Sequence, residues 1–292
     1  NVTALAASSL ADLGTLATAL AADPAQFSNV TGLTTIAVSD ATVDATTLAT
    51  RIDSYDTING DGATTGMTLA AGATINVDAD EVAHMLADET GGRLTISDQL
   101  IVVTNAITVD TANDLAATTT GKITATIDPT ETVGELATLS ADGGTNELTI
   151  TIRAEDATAA TAGQLNTIND ATATAVNLTN VTALAASSLA DLGTLATAIS
   201  NDEFSNATGL TTIAVSDGTV DATTLAARID SYDAVNEGAT TDMTLASGAT
   251  VNVDADEVAH MLTDITAGRL TYGNQAITVN SEDTITVDTA ND

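Results

Sequence analysis

The chain has 292 residues, with 40 Asp and Glu against six Lys and Arg, a formal charge of −34 and a pI near 4.1. So acidic a surface cannot neutralise a phosphate backbone or hold to an anionic headgroup layer, which excludes nucleic-acid binding and polybasic membrane attachment. Cysteine is absent and no apolar run reaches the ~18 residues of a membrane span, so disulfides, thiolate metal sites, catalytic thiols and membrane insertion are excluded too.

Taken in chain order, the elements follow one pattern. An alternating β-type run leads to Asp or Asn, and then to a helix-type run with apolar residues at i, i+3 or i+4. LAASSLADLGTLATAL (5–20) reads as helix. TTIAV leads to Asp44 and a helix carrying Leu48, Ile52 and Tyr55; TINV leads to Asp78, then Val82, Met85 and Leu86. AITV leads to Asp110 and Leu115, and ITATI to Asp128, then Val133, Leu136 and Leu139. LTITI leads to Asp156, then Leu165 and Ile168; TAVNLT leads to Asn180, then Leu184, Leu189 and Leu192. Asp and Asn favour such positions because their side chains accept from free first-turn N–H groups. Glu81 after Asp78 and Glu131 after Asp128 have the capping-box spacing, and Pro129 fits a first helical position. Gly91-Gly92, Gly121 and Gly143-Gly144 fall where helical patterns stop. The stretch 96–106 matches 272–284 poorly although its flanks agree, and reads as a hairpin-like, exposed extension that is the first place to seek a partner.

A longer repeat overlies this short one. Residues 1–19 recur unchanged at 180–198, TGLTTIAVSD (31–40) at 208–217, RIDSYD (51–56) at 228–233, NVDADEVAHML (76–86) at 252–262, and ITVDTAND (107–114) at 285–292. The chain divides into a first partial copy (1–114), a remainder present once (115–179) and a second partial copy (180–292), a window on a longer array of a unit of roughly 178 residues. Units that cannot each bury a face alone share one core when stacked. The expected fold is therefore α/β: a right-handed solenoid of strand-plus-helix units, roughly 25 to 30 residues each, with a parallel sheet. Tandem β-sandwich domains are the alternative.

The pattern ITV-Asp, two to four residues, then Leu-x-x-Ile-Asp, in an Ala/Thr/Asp matrix nearly free of Lys, resembles repeats of giant secreted or cell-surface proteins of cyanobacterial type. The resemblance implies an extracellular structural or adhesive role and brings no catalytic residues.

Candidate chemistry centres on the carboxylates. Asp44, Asp78, Asp110, Asp128 and Asp156, with Asp221, Asp254 and Asp288 in the second copy, recur once per unit. They are either helix caps alone, or a ladder whose mutual repulsion a hard divalent cation such as Ca2+ would relieve. NGDG (59–62) lacks the spacing of a calcium loop, and its counterpart at Asn236, Glu237 and Gly238 has lost it, so a turn fits better. His84 and His260 are twins on a helix without a second ligand nearby, which fits packing or a surface role. Sequons at Asn1, Asn29, Asn177, Asn180 and Asn206 allow glycan decoration. No phosphate loop, nucleophile elbow or zinc-protease motif is present. The expectation is a non-enzymatic, self-associating filament or coat segment, with copies of itself as partners; a passive adhesin stalk is the alternative.

Overall fold

Short aliphatic runs pair in parallel, and at least one helix lies between the two strands of each pair. The computed structural model describes residues 2–22, 32–60, 64–140, 145–236 and 240–279. Asp288 and the second ITVDTAND, Asp61, Gly62, Gly143, Gly144, Glu237, Gly238, Asn1 and Asn29 lie outside the described residues, as do residues 280–284 of the divergent stretch. The chain forms two units, one of residues 1–128 with 145–149, the other of 129–144 with 150–292.

In the first unit, β1 (Ala4–Ser8) and α1 (Leu10–Ala22) are followed by β2 (Thr35–Val38), β3 (Thr42–Asp44) and α2 (Ala45–Asn59). Next come β4 (Gly66–Leu69), β5 (Thr74–Asp78) and α3 (Val82–Thr90), then β6 (Leu94–Thr95), β7 (Leu100–Ile107), α4 (Val109–Thr118) and β8 (Ile123–Ile127). After α5 (Val133–Leu136), which belongs to the second unit, β9 (Glu147–Thr149) completes the first. The strands form two parallel sheets, ordered β1-β2-β4-β6 and β3-β5-β7-β8-β9.

The second unit continues with a 3-10 turn (Ala154–Asp156), α6 (Ala162–Asp170), β10 (Val176–Asn177), β11 (Ala183–Ser187), α7 (Leu189–Ser200) and β12 (Phe204–Ser205). Then come β13 (Thr212–Val215), β14 (Thr219–Asp221), α8 (Ala222–Val235), β15 (Asp242–Leu245), β16 (Thr250–Val253), α9 (Val258–Thr266), β17 (Leu270–Thr271) and β18 (Ala276–Val279). Its sheets run β11-β13-β15-β17, β14-β16-β18 and β10-β12.

Every strand pair among the described residues is parallel, and a helix separates each strand from its partner in the chain. This is the α/β class; sandwich domains would need antiparallel pairing. Partners lie from 20 residues apart (Ile107 with Ile127) to 32 (Thr42 with Thr74). Where the alternation predicts one strand per helix, most of the stretches between helices hold two. TIAV and TVD, for example, are separate strands split by a short turn, and they enter different sheets. A four-residue strand carries only two inward side chains, so its period-2 signal is too brief to mark a boundary.

Register places aliphatic side chains above one another. Leu5, Ile36, Met67 and Leu94 form one ladder; Val43, Ile75, Ile101 and Ile123 form the other. The second unit repeats the first ladder as Leu184, Ile213, Met243 and Leu270. Most of these are fully buried, each stabilising by about 1.5–3 kcal/mol relative to exposure. The predicted helical apolar residues Leu48, Ile52 and Tyr55 are buried too, with Tyr55 Oη donating to Leu13 O at 3.0 Å.

Two local expectations are corrected. Ala4–Ser8 of the supposed long helix is a strand, and the helix starts at Leu10 after Ser9, whose hydroxyl accepts from Asp12 N. The stretch 96–106 is no hairpin: it contains most of β7, an inner strand with Ile101 and Val103 buried. Its irregularity is a bulge between Val102 and Ala106, with Asn105 at φ 67°.

Candidate functional site

The predicted aspartates are not equivalent. Asp44 and Asp221 are N-caps, each Oδ1 accepting from a backbone N–H at 2.9 Å, of Thr47 and Thr224 respectively. The other capping assignments are corrected. Asp78 ends β5 and accepts the Thr104 hydroxyl, while α3 starts at Glu81 without a side-chain cap. Asp254 instead donates its backbone N–H to Glu257 Oε2 at 2.9 Å. Asp110 sits in the first turn of α4, whose cap is Thr108. Asp128 and Pro129 precede α5, but Thr132 with Glu135 makes the capping box there. Asp156 is buried, pairs with Arg153 at 2.8 Å and accepts Val133 N at 2.8 Å; α6 is capped by a Thr161–Gln164 box. Asn180 Nδ2 donates to Ile152 O at 2.7 Å, and α7 is capped by Ser188. Across the first sheet pairing, Asp44 faces Asn76 and Asp78 faces Thr104, so register does not stack these carboxylates. Among the described residues no three His, Asp or Glu are placed to hold a metal ion.

The structure concentrates charge elsewhere, at twin sites. Gly92, at φ 70°, ends α3 in the left-handed region and turns Arg93 back, its N–H donating to Asp88 O at 2.8 Å. The guanidinium then lies among three carboxylates: Asp88 of α3 at 3.1 Å, and Asp53 and Asp56 of α2. Arg93 Nε is 2.9 Å from Asp56 Oδ2 but not aligned to donate, so that contact is an ion pair. Asp56 Oδ1 also accepts Thr65 N at 2.9 Å, which ties the cluster to the segment leading into β4. In the second unit Gly268 (φ 70°) turns Arg269 onto Asp264, Asp230 and Asp233, the last two at 3.2 Å.

Asp88 and Asp264 are 2% and 1% exposed. Burial pushes both carboxyls above their ordinary pKa, and the neighbouring arginine and histidine pull back against it. His84 and His260 lie on the exposed rim, His260 Nε2 being 3.7 Å from Asp264. Beside each cluster runs a groove between consecutive helices, lined in the first unit by Thr46, Asp53, Glu81, His84, Met85 and Asp88. It encloses about 160 Å³, and its twin about 360 Å³, at or below the low end of small-molecule pockets, roughly 300–1,000 Å³. Chemically the arrangement is a clamp: a fixed cation joins two helices and the loop that follows.

A second clamp is duplicated as well. Arg51 reaches from α2 across α1 and donates through Nε to Leu10 O at 3.1 Å, and Arg228 does the same to Leu189 O at 3.2 Å. A Cβ at Gly14 or Gly193 would collide with these guanidiniums, which accounts for a glycine inside each helix. Asn59, expected in a turn, is a buried plug: Oδ1 accepts from Gly32 N and Leu33 N, each at 3.0 Å, and Nδ2 donates to Leu33 O and Thr65. Asn236 donates likewise to Leu210 O and Thr241. The recurrence of RIDSYD and of Gly-Arg after a helix was the available signal for these sites; composition alone hid it.

No helix among the described residues is long and apolar enough to cross a membrane. No family model, curated protein or solved structure matches the chain.

Proposed function

We propose that the chain is a structural repeat segment of an extracellular or cell-surface filament or coat. Its coils stack as a right-handed solenoid, and copies of it associate with one another. One observation carries this reading: both units spend their polar side chains on the same coil-to-coil fasteners. Arg51, Arg93, Asn59 and Tyr55 reappear as Arg228, Arg269, Asn236 and Tyr232, in the same roles. Tyr232 Oη, for instance, donates to Leu192 O at 3.1 Å, and burial raises its pKa, in keeping with a hydroxyl used only as a donor. A duplicated fastening scheme serves length. The excess of carboxylates supports solubility and resistance to unplanned contacts at an exposed surface.

Negative-stain imaging with light scattering, in millimolar calcium and then in chelator, tests the reading. Ordered filaments or sheets are expected, and their dependence on calcium would assign the cation to contacts between copies. Monodisperse particles in both conditions would overturn self-association and leave a passive stalk.

A further inference from the structure

The twin grooves beside the arginine clamps share most of their residues but are not in the same state. In the first unit the Thr46 hydroxyl of α2 donates to Glu81 Oε1 at 2.6 Å, joining two lining residues across a groove of about 160 Å³. In the second unit Glu257 turns back instead, its Oε2 accepting Asp254 N at 2.9 Å, and Thr223 makes no bond to it. That groove holds about 360 Å³, within the range of small-molecule pockets. Its lining combines carbon surface with a buried acceptor. Leu225, Ala226, Met261 and Leu270 supply the first, and Asp264, whose side chain is 2% exposed, supplies the second. Asp264 Oδ1 accepts from Arg269, but among the described residues nothing donates to Oδ2, and His260 Nε2 stays 3.7 Å away. The Asp88 carboxylate accepts no hydrogen bond among the described residues; its contact with Arg93 at 3.1 Å is an ion pair. A carboxylate buried without a full set of donors is costly, and burial accordingly raises the pKa of both acids.

We propose that these grooves bind a primary ammonium group on a short alkyl chain, the second groove being open to it and the first held closed by Glu81. The ammonium donates to Asp264 Oδ2, its methylenes lie along Ala226, Met261 and Leu270, and the exposed Asp230 and Asp256 add negative potential at the rim. The same lining argues against other ligands. Asp230, Asp256, Glu257 and Asp264 stand against Arg269 alone, which repels anions. A divalent ion takes several oxygen ligands, and among the described residues no three such side chains converge. A second copy of the chain is a poor source, because its one lysine, Lys122, is paired with Glu147 at 2.8 Å. The ammonium therefore belongs to a free small amine or to a lysine side chain of a different protein. The site does not depend on whether copies of the chain assemble.

The four methionines report on the test directly. Met85 and Met261 line the two grooves, whereas Met67 and Met243 are 0% exposed within the sheets. With isotope-labelled methionine methyls, n-butylammonium chloride is titrated into the full chain at constant ionic strength and about pH 8, where amines keep their proton. The Met261 methyl should shift and saturate with a Kd of about 1 mM, Met85 should respond about tenfold more weakly, and Met67 and Met243 should stay still. Thr46→Ala, which frees Glu81, should bring Met85 to the affinity of Met261. Asp264→Asn should weaken the Met261 response about tenfold or more. Ala226→Leu, which fills the groove and leaves every carboxylate in place, should abolish it, with an unmoved Met243 showing that the unit is folded. A blocked Gly-Lys-Gly peptide separates the sources: binding at least as tight as that of butylammonium assigns a partner's lysine, and exclusion of the peptide assigns a free amine. No shift at Met261, a shift that sodium chloride reproduces, or a tighter response to calcium chloride overturns the proposal. So does undiminished binding in Ala226→Leu.

Discussion

At Asp44 and Asp221 one carboxylate oxygen serves two donors, the N–H and the hydroxyl of the threonine three residues on, the latter at 3.0 and 2.9 Å. Removing the acceptor leaves a first-turn N–H of a long helix without its partner. Asp44→Ala and Asp221→Ala should each lower the unfolding free energy by about 1 kcal/mol in urea titration. Asp110→Ala should cost about 0.5 kcal/mol or less, because Asp110 is in the first turn of α4 and acts only through the helix dipole. Equal losses at Asp44 and Asp110 would mean that charge, not the cap bond, is what counts. These two caps were legible because TVDATT and TVDATT recur intact with no competing hydroxyl in the cap position. Thr108, Thr132, Thr161 and Ser188 cap their helices in a chain crowded with Thr, so nothing in the local composition singles them out, and a nearby Asp is the stronger attractor for the eye. Only the Thr-x-x-Glu and Thr-x-x-Gln spacings at Thr132 and Thr161 carried a signal.

At the scale of elements, the helices were legible through Leu48-Ile52-Tyr55 and its kin, and the parallel class through their alternation with strands. The division of consecutive strands such as β2 and β3 between two sheets was not, since strands of three or four residues leave too few alternations to count. Nor was the clamp of Arg93, because Asp53, Asp56 and Asp88 converge only once α2 and α3 lie side by side. Arg93→Met would strand Asp88, whose side chain is 3% exposed, without its cation, at a cost of about 3 kcal/mol. The pH dependence has a definite sign. Burial already raises the Asp88 pKa, and loss of Arg93 raises it further. A carboxyl whose folded pKa exceeds its unfolded value binds its proton more tightly when folded, so its support is present at low pH and fades as pH rises through the folded pKa. The Arg93→Met deficit should therefore be smallest in acid and grow toward neutrality. Adding Asp88→Asn should recover much of it and flatten the profile. A deficit independent of pH would mean that the arginine stem, and not its charge, holds the helices together.

For the molecule as a whole, the decisive fact is that all six cations are already engaged. Arg51 and Arg228 bond to helix carbonyls, Arg93 and Arg269 sit among aspartates, Arg153 pairs with Asp156, and Lys122 with Glu147 at 2.8 Å. Asp and Glu number 40 against these six cations, and a net charge of −34 pushes the folded state outward. Salt then has two opposed effects. It weakens the few ion pairs, which are short-range and partly buried, and it screens the many exposed repulsions, which act over about 30 Å at about 10 mM salt. The second should win. Raising sodium chloride from about 10 mM to about 0.5 M is expected to lift Tm by about 5 °C, equivalent to roughly 1–2 kcal/mol for a chain of this size. A fall in Tm would show that the arginine clamps outweigh the summed repulsion. Calcium added at the same ionic strength discriminates further: an equal rise means that any cation atmosphere suffices, whereas a much larger one means that carboxylates within one chain or from several copies gather around a bound ion.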